Sequence, residues 1–194
     1  ELHWNNAYQN TKTEKLGWFE SKSVPTLALI KKLKLAKEAR ILNVGAGSTT
    51  LIDDLVSKGF TGVIANDLSE TSLETLGIRL GINKTKVEFI IDDLTNPKKL
   101  QNIEPVDLWN DRAVLHFFLT ENEIKTYFNL LRSIVKTDGK VIFAEFAKDG
   151  AEKCCGLKLR RYDTEMLQKE LGEGFELIES FNYEFTNPNG DSRP

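Results

Sequence analysis

A strand that runs into two closely spaced glycines, Ile41-Leu42-Asn43-Val44-Gly45-Ala46-Gly47-Ser48, constrains this chain more than any other feature. Glycine has no Cβ, so the backbone of such a turn can take left-handed angles and come close to a ligand. The next apolar run ends in Ala65-Asn66-Asp67. An acidic side chain about twenty residues after a glycine turn lies at the neighbouring strand's carboxyl end, where it can accept hydrogen bonds from both hydroxyls of a ribose. The pair predicts a nucleoside-cofactor site.

The remaining periodicity alternates strands with helices. Residues 24–35 carry Leu27, Ile30, Leu33 and Leu35 near helical spacing, with Pro25 suited to a first turn. Strands are expected over 40–44, 62–65, 87–91, 106–109 and 141–146, and a sixth from Phe175. Leu51, Ile52, Leu55 and Val56 before Gly59 predict a helix, as do Leu73, Leu76 and Leu80 after a Ser69 cap. Thr120-Glu121-Asn122-Glu123 is a capping box, followed by apolar residues from Ile124 to Val135 at helical spacing until Gly139. A last helix spans about residues 164–171 up to Gly172. Such alternation implies an α/β fold, doubly wound, with a mostly parallel Rossmann-like sheet and helices on both faces. A length of 194 residues suits a single domain over 1–194.

The net charge of -3 leaves no basic footprint for a nucleic-acid backbone, and no apolar run approaches a membrane span. Lys31-Lys32-Leu33-Lys34-Leu35-Ala36-Lys37 is one solvated helix face. The only cysteines, Cys154 and Cys155, are adjacent, which disfavours an ordinary disulfide and supplies no spaced metal-ligand set. A reducing cytoplasm, no metal, and a monomer or weak dimer are the expectations.

In an open α/β sheet the ligand crevice lies outside the carboxyl ends of the strands. Here those ends offer Gly45 and Gly47, then Asp67, then Asp93, then Asp111 and Arg112. In this arrangement the chain resembles the class I S-adenosylmethionine-dependent methyltransferases over nearly its whole length. The resemblance rests on Ile41 to Ser48, Asn66-Asp67, Ile91-Asp92-Asp93-Leu94 and Asp107-Leu108-Trp109-Asn110-Asp111-Arg112-Ala113 in the family's order. Trp4 and Tyr8 with Gly17-Trp18-Phe19 resemble an element of small uncharacterised members and, more distantly, of lysine methyltransferases acting on elongation factor or citrate synthase; Asn110 to Ala113 is similar to a segment of thiopurine methyltransferases.

The resemblance implies S-adenosyl-L-methionine as cofactor, S-adenosyl-L-homocysteine as product, and a small-molecule or protein side chain as acceptor. It implies that Gly45, Ala46 and Gly47 meet the amino-acid part of the cofactor, Asp67 and Leu68 the ribose, and Asp92, Asp93 and Leu94 the adenine. Trp4, Tyr8 and Arg112 would line the methionine end. A general base is needed only for a nucleophile that arrives protonated; Asp111 is the first candidate by position and His116 the second. The loop over 147–162, with Lys158, Arg160 and Arg161, would face the acceptor.

Two departures matter. Asn43 stands where the family usually has an acidic residue, and the family's seventh strand is missing after Asn187-Pro188-Asn189-Gly190, as in a truncated chain or one whose sheet edge a partner covers. They leave open a degenerate cofactor-binding regulatory module. A nicotinamide-dependent oxidoreductase is the less favoured alternative, because Thr50 occupies the third small position of the dinucleotide turn.

Overall fold

The computed structural model describes residues 1–47 and 49–193; Ser48 of the glycine turn and the terminal Pro194 lie outside the described residues. Its centre is a five-stranded sheet in the order β3-β2-β1-β4-β5, every neighbouring pair parallel. The strands are β1 (Arg40–Val44), β2 (Gly62–Asp67), β3 (Val87–Ile91), β4 (Val106–Arg112) and β5 (Val135–Ala144). β1, β2 and β4 are buried almost throughout, as a parallel sheet covered on both faces requires. β2 and β4 run two and three residues further than the apolar pattern indicates, because Asn66, Asn110 and Asp111 continue the ladder as buried polar residues.

Alternate strand residues feed two cores. Ile41, Val63, Ala65 and Leu108 pack with α2 (Val24–Leu33), α3 (Leu51–Ser57) and α4 (Glu70–Leu80). Leu42, Ile64, Val106 and Trp109 pack with α5 (Glu121–Ile134), and α6 (Thr164–Leu171) closes the same side. Ser69 accepts from the Ser72 amide at the start of α4, and both halves of the Thr120–Glu123 capping box form at the start of α5. The helix α1 (Leu2–Asn10) lies across α4, where the Ser69 hydroxyl donates to Asn5 Oδ1 at 2.6 Å.

Three expectations need correction. α5 stops at Ile134, and Val135 passes without a loop into β5, whose register slips between the Val106 and Leu108 pairings. Val135 fits the helical spacing but is already paired with Val106 in the sheet, and tertiary pairing overrides propensity. β5 also ends at Ala144, so Glu145 and Phe146 fall beyond it. Finally, residues 175–184 form no strand. Leu177, Ile178 and Phe181 stay exposed, and the segment is held by side chains, Glu179 to Lys32 at 2.7 Å and Ser180 to Thr164 at 3.0 Å. Around Asn187 a two-residue antiparallel pair, β8 (Phe185–Thr186) with β9 (Ser192–Arg193), stands apart from the main sheet. No helix among the described residues is long and apolar enough to cross a membrane.

Candidate active site

The order of the sheet places β1 between β2 and β4, so the connection reverses direction beside β1 and leaves a crevice at the carboxyl ends. A cavity occupies that crevice, walled by the ends of β1 to β4 and covered by α1 and residues 13–23. Gly45 and Gly47 both adopt left-handed angles, φ 54° and 51°. A Cβ on Gly45 would collide with the Val114 side chain, and one on Gly47 with the Tyr8 hydroxyl. The turn is pinned by the Ala46 amide donating to Asn66 O at 2.8 Å.

Asp67 is the centre of the cavity's polar wall. Its Oδ2 accepts from the Gly47 amide at 2.7 Å and its Oδ1 from the Ser69 amide at 2.8 Å. Burial pushes its carboxyl above the usual range, against the pull of those amides. Each carboxylate oxygen has a further lone pair, so the side chain can still accept donors from a ligand. Leu68, Asp93 and Leu94 continue the same wall, and Asp93 Oδ1 takes both the amide and the hydroxyl of Thr95. The neighbouring Asp92 reaches the wall, but its carboxylate is committed inward to the amides of Lys98, Lys99 and Leu100 at 2.8–3.1 Å. Asp92 thus folds the following loop while bordering the cavity.

Aromatic rings close the opposite side. Trp4 packs edge-on against Trp18 and Phe117, and Trp18 Nε1 donates to the Tyr8 hydroxyl at 3.2 Å. Arg112 ties this cover to β4: its guanidinium donates to Trp18 O at 2.9 Å and pairs with Glu20 at 3.0 Å. Glu20, which sequence reasoning missed, is thus the partner that holds Arg112 at the cavity.

Asn43 is buried beside Asn110, whose Nδ2 donates to Asn43 Oδ1 at 3.1 Å, as the Asn43–Asn110 register dictates. Asn110 Oδ1 and Asn66 Oδ1 are buried without a donor, and both residues line the cavity. These orphaned acceptors, with the glycine turn and Asp67, suit a ligand carrying hydroxyls at one end and positive charge at the other.

The two candidate bases separate. Asp111 is fully buried behind the cavity, and its carboxylate accepts from the Val114 and Leu115 amides at 3.0 and 3.2 Å and from the Tyr127 hydroxyl at 2.5 Å. Trp109 Nε1 donates in turn to Tyr127 at 2.9 Å. Asp111 does not line the cavity, and burial pushes its carboxyl well above the usual range, so it is corrected to a buried structural group that organises the turn after β4. His116 does line the cavity, although fully buried, with Nδ1 2.6 Å from Glu145 Oε2. Burial lowers its pKa to about 4 and raises that of Glu145 to about 8, so the pair sits together in its neutral form. Glu145 was also missed, although it follows the fifth strand's end, where acidic residues were sought on the other strands.

The loop over 147–162 carries a small hairpin, β6 (Lys153–Cys154) with β7 (Leu157–Lys158). It brings Cys154 and Cys155 to the cavity wall with sulfurs 3.3 Å apart. Arg160 and Arg161 turn instead to Glu170 and Glu152. Among the described residues no group of three or more His, Cys, Asp or Glu side chains could hold a metal.

No protein-family profile matches the chain. A Geobacillus sp. (strain WCH70) protein named "Putative methyltransferase" is 30% identical over 106 residues, covering 54% of this chain and 41% of its own length; the chain thus spans about two fifths of that relative. A solved structure of an S-adenosylmethionine-dependent methyltransferase from Anabaena variabilis ATCC 29413 superposes with a TM-score of 0.78 at 16% identity, covering 100% of this chain and 89% of that one. A phosphoethanolamine N-methyltransferase 2 from Haemonchus contortus, in complex with S-adenosyl-L-methionine, gives 0.64 at 16% identity over 87% of this chain and 43% of that one.

Proposed function

We propose that this chain, whose fold is that of the class I S-adenosylmethionine-dependent methyltransferases, binds S-adenosyl-L-methionine in the cavity and directs its methyl group to a small-molecule or protein side-chain nucleophile. The observation that carries this reading is the bond between Gly47 and Asp67, which sets a close-approach backbone beside a buried carboxylate at adjacent strand ends. When bound, the cofactor supplies a methyl group on a positively charged sulfur, and sulfur leaves neutral.

The chain's own residues do the rest. Asp67 holds the ribose hydroxyls, while Asp93 and Leu94 face the base. Asn110 Oδ1, a buried acceptor without a donor, takes an N–H of the amino-acid end. Trp4, Tyr8, Trp18 and Phe117 exclude water and present aromatic faces to positive charge, so positioning and desolvation supply most of the acceleration. The acceptor enters beside His116 and Cys154, a wall shared with the cofactor cavity.

Titration calorimetry with S-adenosyl-L-homocysteine tests the site, and saturable binding with no comparable response to NADH is the expected outcome. Incubation of the full chain with labelled S-adenosyl-L-methionine and an acceptor panel should then yield labelled product. Tight binding with no turnover on any acceptor would favour a regulatory module, and a preference for NADH would sink the reading.

A further inference from the structure

Glu20 and Arg112 face each other at the cavity wall, Oε2 to Nε at 3.0 Å, with side chains 10% and 23% exposed. Four carboxylates line the cavity among the described residues, and three of them, Asp67, Asp92 and Asp93, sit at the ends of β2 and β3 and already serve backbone amides. Glu20 is the one that lies against β4, through Arg112. The ends of β1 and β4 beside it add no second carboxylate to the wall, because Asn43 and Asn110 are both amides and hydrogen-bond to each other. A cationic group enclosed at that end of the cavity loses its water and needs a carboxylate in reach.

The ion pair still has binding capacity. Glu20 engages Arg112 through Oε2 and has Oε1 open, while Arg112 engages Glu20 through Nε and Trp18 O through Nη2 and has Nη1 open. Three residues after Glu20, Ser23 lines the same cavity at 1% exposure, and its Oγ has no hydrogen-bond partner. Ser23 stands directly before α2, whose N-terminal end favours negative charge. A buried hydroxyl without a partner costs stability unless a ligand uses it. One carboxylate oxygen, one guanidinium nitrogen and one hydroxyl together complement an α-amino-acid zwitterion.

We propose that Glu20 binds the α-ammonium of the cofactor's amino-acid end and that Arg112 with Ser23 binds its α-carboxylate, so that Glu20 and Ser23 select an amino-acid-bearing cofactor over a plain nucleoside thioether. The inference rests on the methyltransferase reading. Without ligand the Glu20 and Arg112 charges neutralise each other; with it, the ammonium and carboxylate join the pair head to tail. The enclosed charge sums to zero in both states, and neither ion is stranded. Asn110 Oδ1 accepts a further ammonium proton. Glu20 thereby supplies the negative charge that Asn43 does not.

Titration calorimetry on the full chain tests this with S-adenosyl-L-homocysteine and with methylthioadenosine, which has the same adenosine and sulfur but no amino acid. The wild-type chain should prefer the homocysteine compound by roughly tenfold or more. Glu20→Gln, which preserves side-chain size opposite Arg112, should lose about tenfold in affinity for S-adenosyl-L-homocysteine and leave methylthioadenosine affinity within about twofold. Decarboxylated S-adenosyl-L-homocysteine, which retains the ammonium alone, separates the two charges: Glu20→Gln should weaken it and Ser23→Ala should not, although Ser23→Ala weakens the intact compound several-fold. An equal loss for both thioethers in the Glu20 variant would mark Glu20 as a tether of the cover and overturn the proposal. A wild-type chain that binds the two alike, or a Ser23 variant with unchanged affinity for S-adenosyl-L-homocysteine, would overturn it as well. In each of those cases methylthioadenosine binding leaves the cofactor site standing, whereas binding of neither compound by the wild-type chain would overturn both readings.

Discussion

Gly47 and Asp67, twenty residues apart, meet through an amide-to-carboxylate hydrogen bond of 2.7 Å that joins the turn after β1 to the end of β2. The same carboxylate accepts the Ser69 amide at the entrance to α4, so one side chain closes the turn, starts the helix and faces the cavity.

Asp67→Ala should weaken binding of S-adenosyl-L-homocysteine by ~1.5 to 3 kcal/mol, the usual worth of hydrogen bonds to a charged group. Calorimetry measures this directly. Unchanged affinity would show that the ribose is held elsewhere.

Gly47→Ala should be worse for binding than its single methyl suggests. The new Cβ would drive into the Tyr8 hydroxyl from a backbone at φ 51°, where alanine is strained by about 1 to 2 kcal/mol. A loss of affinity of tenfold or more, with altered tryptophan fluorescence as Tyr8 is displaced from Trp18, is the expected result.

Asp92→Ala offers the contrast. Three consecutive amides, Lys98 to Leu100, lose their acceptor, so thermal stability should fall by roughly 1 to 3 kcal/mol. Affinity for the homocysteine product should change much less than in the Asp67 variant, a comparison that calorimetry and thermal melts make together.

Stability should decline from pH 6.5 to pH 8. The folded pKa of Glu145 is raised to about 8, so its contribution is full below its unfolded value and is lost as pH rises through the folded one. Asp111, also raised by burial, acts in the same direction. His116 is lowered to about 4, so its contribution is present above its unfolded value of 6.5 and falls away only on acidification. Glu145→Gln should flatten the decline, whose slope is at most about 1.4 kcal/mol per pH unit for each proton. Chemical denaturation at several pH values reads it out, and an unchanged slope in the variant would contradict the assignment.

Arg112→Ala should loosen the cover over the cavity. Trp18 O loses its donor and the largely buried Glu20 its counter-charge, so faster proteolysis within the first twenty residues and weaker cofactor binding are expected together.

The sheet was legible where local signals agreed. Continuous apolar runs before Gly45 and Asp92 located β1 and β3 to the residue, and the Thr120–Glu123 box located the start of α5. What escaped was settled by partners far along the chain. Val135 satisfies helical and strand patterns alike, and only its pairing with Val106 decides. Asp92 and Asp93 are indistinguishable as neighbours in sequence, yet the chain curls residues 98–100 back onto the first and leaves the second at the wall. Asp111 looked like a base by its place at a strand end. Tyr127, sixteen residues on in α5, donates to it from within the core, a partner that the local sequence does not reveal. Glu145 was within reach of the strand-end argument that found Asp67, but its meaning depends on His116, twenty-nine residues earlier.

The cover over the cavity contributes no buried side chain from α1 and hangs on a few polar tethers, Asn5 to Ser69, Thr50 to Glu20 O, and Arg112 to Trp18 and Glu20. The sheet beneath it is densely packed, so the cover detaches at far lower cost than the floor yields. On the methyltransferase reading, how long spent cofactor lingers is governed by how often those opening residues peel away, and surface substitutions can retune that clock without touching Asp67.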